Sequence, residues 1–156
     1  MIIVEELRET NESSVLLKEI IDSNPTNMPS EIVFMTCQAM VKKEPPPFII
    51  KDNNNYVGVF AIAWVPMPPE GTRIGNLYLA LDFKISGDEE LASKLNSIIG
   101  NYMEEYDIVE IQCSLPRKHI PHIILLLRAG FYVCGYIRSV IGEFVLLSRK
   151  RGKEDG

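Results

Sequence analysis

A surplus of basic residues is what this sequence most plainly lacks. Its 16 Lys and Arg face 21 Asp and Glu, for a net charge of -5 over 156 residues. Nucleic-acid surfaces draw affinity from phosphates neutralised by clustered Lys and Arg, so this balance speaks against nucleic acid as a partner. Cysteine is scarce and odd in number. Cys37, Cys113 and Cys134 lie far apart, a spacing that offers neither a disulfide framework nor a paired Cys-x-x-Cys knuckle. Each reads as a small buried hydrophobe. Histidine occurs twice, as His119 and His122; no third ligand stands at a recognisable spacing, and no metal site is expected. Long apolar runs are missing too. The greasiest stretch, Ile120 to Leu127, is less than half of what a bilayer crossing needs. Glu5, Glu6 and Glu9 interrupt the opening run, unlike a signal peptide. The expectation is a cytoplasmic protein without a membrane partner.

Core material is plentiful, with 46% apolar and 24% charged residues, and the length suits one domain. The expected organisation is a single domain over 1–148 followed by a polar tail over 149–156. Met1 to Val4 reads as a strand. Thr10 or Asn11 caps a helix whose stripe is Leu16, Leu17, Ile20 and Ile21, and Asn24-Pro25 stops it. A second helix runs from Pro29-Ser30 to Lys42-Lys43. Phe48 to Ile50, Tyr56 to Val65 and Ile74 to Phe83 read as three strands of an antiparallel meander, the first turn being Asp52 to Asn55. Ser86 and Glu89 form a capping box before a helix carrying Leu91, Leu95, Ile98, Ile99 and Met103. Asp107 to Leu115 is a strand. A last helix, with Pro121 in its early turns, ends at Ala129-Gly130. Phe131 to Ile137 and Glu143 to Leu147 close the chain as a hairpin. The order β-α-α-β-β-β-α-β-α-β-β places a parallel crossover inside an otherwise antiparallel sheet. The fold class is α/β, or α+β by some schemes: a mixed, mostly antiparallel central sheet flanked by helices.

Several residues carry candidate chemistry. His119 and His122 stand at i and i+3 on one helical face. His119 reads either as a proton-transfer group or as a helix-start histidine bonded to backbone or solvent. Alternation sets Asn76, Tyr78 and Ala80 on one strand face and Leu77, Leu79 and Leu81 on the other. The first, more polar face is expected to look toward a cleft, with Tyr78 there as a polar group or as a half-buried packing residue. No carboxylate occurs between Ile74 and Leu81. Cys113 reads as buried, with nucleophilic catalysis beside His119 as the alternative. Trp64 packs in the sheet or, with Met67, walls an acceptor pocket.

The chain resembles the GNAT superfamily of N-acetyltransferases over nearly its full length. The resemblance lies in the element order, in Asn76-Leu77-Tyr78-Leu79-Ala80-Leu81 before a helix, and in Leu125-Leu126-Leu127-Arg128-Ala129-Gly130-Phe131 near the end. It implies an acyl-CoA N-acyltransferase-like fold and transfer of an acetyl or other acyl group from acetyl-CoA to an amine by direct attack. Leu79, Ala80 and Leu81 would offer backbone groups to the pantetheine arm, with Ser114 on the strand facing it. Gly87, Ala92 and Ser93 would cradle the diphosphate, and His119 would stand near the thiol. Tyr78 and His119 are the implied catalytic residues. The implied partner is a small-molecule or peptide amine, and the resemblance admits a homodimer. Two positions depart from the family pattern. Its diphosphate loop begins with Arg or Gln and has a central glycine, where this chain has Gly87 and Glu90. Its tyrosine on the last helix, which protonates the leaving thiolate, falls on Leu126. These departures support an alternative, a GNAT-like binding or assembly module without the reaction.

Overall fold

A computed structural model describes residues 1–43 and 45–152. The expected tail falls partly at 153–156, outside the described residues. The chain forms β1 (Ile2–Glu6), α1 (Ser13–Ser23), α2 (Ser30–Val41), β2 (Phe48–Asp52), β3 (Asn55–Met67), β4 (Thr72–Leu81), α3 (Glu89–Glu105), β5 (Ile108–Pro116), α4 (Ile120–Arg128), β6 (Tyr132–Ser139) and β7 (Gly142–Lys150). The strands follow the order β1-β2-β3-β4-β5-β7-β6 in one mixed sheet. β4 and β5 are parallel, whereas β1–β2, β2–β3, β5–β7 and β6–β7 are antiparallel. The fold class is the one expected. By internal contacts the chain divides into two units, 1–63 with 78–85, and 64–77 with 86–156.

In the first unit, α1 and α2 bury Leu17, Ile20, Ile21, Val33 and Cys37 in one cluster with Val59, Ala61 and Ala80. The helices form because these residues recur at helical spacing. α1 starts at Ser13, its N-cap position being Glu12 rather than Thr10 or Asn11. The Thr10 hydroxyl accepts from the Glu12 N–H at 3.3 Å, which stabilises the entry to the helix. β2 and β3 turn at Asn53 and Asn54, with φ of 49° and 70°, a left-handed pair that asparagine tolerates. Gly58 has a different reason. A Cβ there would lie 2.8 Å from the Ala80 carbonyl and 2.6 Å from a Leu81 methyl, so only glycine lets β3 run this close to β4.

The second unit packs the stripe Leu91, Leu95, Ile99 and Met103 of α3, together with Leu125 and Leu126 of α4, as buried side chains. α4 ends in a Schellman arrangement. Phe131 N–H donates to Leu126 C=O at 3.0 Å, Gly130 N–H donates to Leu127 C=O at 3.4 Å, and Gly130 has φ +92°. β7 runs on through Arg149 and Lys150, which the sequence reading assigned to the polar tail. Arg149 continues the period-two face of Val145 and Leu147, and its guanidinium is half-buried. Cys37 and Cys113 are buried as expected, but Cys134 is exposed, because it lies on β6 at the edge of the sheet.

Candidate functional site

The parallel ladder between β4 and β5 pairs Arg73 with Ile108, Ile74 with Glu110, Gly75 with Ile111 and Asn76 with Gln112. It goes no further, although β4 continues to Leu81 and β5 to Pro116. Backbone direction follows parity along a strand. Arg73 N–H donates to Asp107 C=O at 3.2 Å, so odd-numbered residues of β4 aim their polar groups toward the β5 edge. Asp82 N–H donates to Val57 C=O on β3 at 2.9 Å, so even-numbered ones aim the other way. Leu79 and Leu81 therefore carry the strand-edge groups that the sequence reading assigned to an acyl-donor arm.

Within the first unit those groups have partners from the segment between α1 and α2. Leu79 N–H donates to the Asn27 side-chain oxygen at 2.8 Å. Asn27 N–H donates to Leu79 C=O at 3.1 Å, and Leu81 N–H donates to Pro25 C=O at 3.1 Å. Thr26 and Ala80 form an antiparallel bridge. Buried backbone groups must be paired, and Pro25–Asn27 serves as a short extra strand on this edge. The sequence reading took Asn24-Pro25 only as a helix stop. The signal it lacked was long-range: nothing local tells that Asn27 is a buried side chain.

Tyr78 is half-buried and packs against the α1–α2 cluster. Of the two readings weighed, the packing one describes its surroundings. The face shared by Asn76, Tyr78 and Ala80 changes along the strand, with Asn76 exposed and Ala80 fully buried.

In the second unit, α3 begins at Glu89 with Asp88 as its N-cap, and the Asp88 carboxylate accepts from Leu91 N–H at 3.1 Å. This corrects the expected capping box: Ser86 is buried, and Asp88 caps instead. Asp88, Glu89 and Glu90 are all exposed at this helix start. They complement the positive end of the helix dipole and compete with a diphosphate for it. Ala92 is buried, Ser93 exposed, and Gly87 exposed with open space about its α-carbon. One cation stands beside the loop. Arg128, from the last turn of α4, reaches the Gly87 carbonyl at 3.4 Å. The sequence reading passed over Arg128, although it lies inside the segment that carries the resemblance. Lys94 pairs with Glu90 at 3.7 Å on the surface.

His119 occupies the N-cap position of α4. Its backbone N–H donates to Pro116 C=O at 2.8 Å, which ties the helix start to the end of β5. The ring meets His122 edge-on, 5.5 Å between centroids and 82° between planes. The two histidines placed on one helical face thus touch, and both are buried. Burial, and then the neighbouring Lys118 charge, lower the His119 pKa and favour the neutral imidazole. A neutral imidazole is a proton acceptor at neutral pH. Ser114 is half-buried on β5 opposite Leu146 of β7. Leu126 is fully buried. Trp64 is half-buried, and the Arg73 guanidinium lies 4.1 Å from its ring centroid, a cation–π contact. Among the described residues, no group of three or more His, Cys, Asp or Glu comes together to hold a metal. No described helix is long and apolar enough to cross a membrane.

The groups that an acyl-CoA ligand would use are partly taken within each unit. Arg128 supplies a cation and Gly87 supplies space, while Asp88 already uses the Leu91 N–H and Asn27 already uses Leu79.

No family model matches the sequence, and no curated protein matches it. Solved structures do. A GNAT-family acetyltransferase from Streptococcus pneumoniae is similar over 97% of this chain and 100% of its own, with 12% identity and a TM-score of 0.69. A chain of the NatC complex bound to Gag peptide and CoA is similar over 96% and 98%, with 16% identity and a TM-score of 0.70. The aminoglycoside acetyltransferase AAC(6')-Ib in complex with coenzyme A and kanamycin is similar over 97% and 95%, with 15% identity and a TM-score of 0.60. At such identities the likeness establishes a shared fold.

Proposed function

On a fold shared with GNAT acetyltransferases, we propose that this chain is an N-acyltransferase that moves an acetyl group from acetyl-CoA to an amine. The observation that carries the reading is the end of the β4–β5 ladder at Asn76 and Gln112, with both strands continuing past it. An amide-bearing arm can add to such an edge as a strand does, by main-chain hydrogen bonds exchanged for the local ones that Asn27 and Pro25 make. The reading assigns that arm to the backbone of Leu79, Ala80 and Leu81 and to Ser114. It assigns the diphosphate to Gly87, Ala92 and Ser93 with Arg128.

Acetyl-CoA supplies an activated acyl carbon, and the amine nitrogen bonds to it as the carbon–sulfur bond breaks. His119, held neutral by burial, takes the proton from the attacking amine. A proton returns to the thiolate from solvent or from the Tyr78 hydroxyl, since Leu126 has none to give. The net charge of -5 favours a cationic acceptor such as a polyamine or a lysine peptide. Incubating the full chain with acetyl-CoA and each of these amines, and following free CoA by chromatography, tests the proposal. Amine-dependent CoA release supports it; release no faster than the enzyme-free blank overturns it.

A second reading, a binding or assembly module on the same scaffold, is favoured by two hydrogen bonds. Asp88 occupies Leu91 N–H, and Asn27 occupies Leu79 N–H. Both are places where a thioester ligand would bond. Fold alone does not choose between reaction and binding. The module reading expects no acyl transfer to any amine.

A further inference from the structure

Away from the helix start discussed above, the second unit holds an open cavity of about 800 Å³. It is lined from α3 by Asn96, Gly100 and Asn101, from the α4–β6 junction by Gly130 and Tyr132, and from β7 by Arg149. Gly100 lies about 16 Å along the axis of α3 from Glu89, at 1.5 Å per residue. The Gly100 end of the cavity is thus set off from the loop at Gly87, whereas Gly130 lies two residues beyond Arg128, which reaches that loop.

Arg149 dominates this cavity. Its guanidinium is half-buried, and one nitrogen, Nη1, donates to Ala129 C=O at 2.8 Å and to Asn96 C=O at 3.0 Å. Both acceptors are neutral carbonyls, and no carboxylate pairs with Arg149 among the described residues. Burial consequently lowers its pKa, the response of a charge removed from water without a counter-ion. Capping the end of α4 accounts for Nη1. It leaves Nη2 and Nε, the second edge of a planar fork that suits oxyanions in bidentate geometry.

Two glycines make room for this group. A Cβ at Gly100 would lie 2.8 Å from Nη2, and one at Gly130 would lie 3.3 Å from Nη1. Gly130 is also required by its φ of +92°, but Gly100 sits inside α3 with ordinary helical backbone. A glycine inside a helix is unfavourable relative to alanine. Outside the adjoining backbone of α3, the Arg149 guanidinium is the one described group within 4 Å of a Cβ at Gly100. Lys150 follows Arg149 on β7 and so sets its side chain on the other face of the sheet. Arg151 is committed to Asp107 at 3.3 Å, and Glu104 is the carboxylate that borders the cavity.

We propose that this cavity is a second ligand site, which binds the phosphate group of a small organic molecule on the outer edge of Arg149, with Asn101 of α3 beside it. The guanidinium fork meets two phosphate oxygens in bidentate geometry. The proposal does not rest on the acyltransferase reading.

Its test is an amide and side-chain NMR titration of the full chain with inorganic phosphate, adenosine 5′-monophosphate and acetyl-CoA as separate probes. Both phosphate probes should shift Gly100, Asn101 and Tyr132 saturably, with the monophosphate ester the tighter. Arg149→Gln should weaken that binding about tenfold or more. Because that variant also loses the α4 contact, Gly100→Ala is the second arm. It should push aside Nη2 alone, leaving Nη1 on its carbonyls, and weaken binding comparably while the chain still melts cooperatively as the parent does. The proposal is overturned if neither phosphate probe shifts these residues at tens of millimolar, or if Gly100→Ala binds as the parent does. It is also overturned if acetyl-CoA displaces phosphate competitively, because the cavity would then belong to the thioester's footprint.

Discussion

Asn27 clasps Leu79 from both sides of one residue: its side-chain oxygen accepts from Leu79 N–H at 2.8 Å, and its own N–H donates to Leu79 C=O at 3.1 Å. The side chain of Asn27 is buried. Asn27→Ala removes the acceptor and leaves a buried N–H unsatisfied, a loss of about 1–3 kcal/mol. Urea unfolding of parent and variant checks this. If the clasp also competes with the acyl donor, the folded fraction of Asn27→Ala binds acetyl-CoA more tightly than the parent.

Asp88 and Arg128 act in opposite directions on an anion at the start of α3. Asp88→Ala loses an N-cap bond and about 1 kcal/mol of stability, yet frees Leu91 N-H and removes a negative charge. Acetyl-CoA affinity should rise. Arg128→Gln removes the cation beside Gly87 and should weaken acetyl-CoA about tenfold. Isothermal titration of the two variants gives both signs in one experiment.

His119 sets a pH dependence. Its folded pKa lies below the ordinary value of about 6.5, so the unfolded chain takes up its proton first as pH falls. Stability is retained above pH of about 6.5 and lost as pH drops through the lower folded value. His119→Gln should remove this part of the stability profile, measured by melting temperature from pH 7.5 to 5. In the acyltransferase reading, the parent's rate reaches its plateau before neutral pH, and the variant loses more in kcat than in KM for acetyl-CoA.

The three cysteines should differ sharply in reactivity. Burial pushes the Cys37 thiol up to about 12, and Cys113 is buried as well, while Cys134 is exposed on β6. Iodoacetamide under native conditions should label Cys134 alone, as read by peptide mass spectrometry.

Much of the scaffold was legible because local signals agreed with the final packing. Leu91, Leu95, Ile99 and Met103 recur at helical spacing and are all buried; Asn53-Asn54 and Gly130 adopt the left-handed backbone that their side chains permit. The failures are long-range or competitive. The insertion of β7 between β5 and β6 depends on pairing across the whole closing hairpin, which no local pattern encodes. Arg149 looked like tail because it is charged, although it continues the buried face of Val145 and Leu147. Ser86 and Asp88 both qualify as caps by residue type, and the backbone path chose Asp88. For the candidate site, residue types were readable but partners were not: Asn27 on Leu79 and Arg128 on Gly87 each join distant parts of the sequence.

Isothermal titration of the full chain with acetyl-CoA tests the central claim most directly. The acyltransferase account predicts saturable binding of one acetyl-CoA per chain, weakened by Arg128→Gln. No heat beyond dilution at millimolar acetyl-CoA, with the chain folded by its thermal transition, would contradict it.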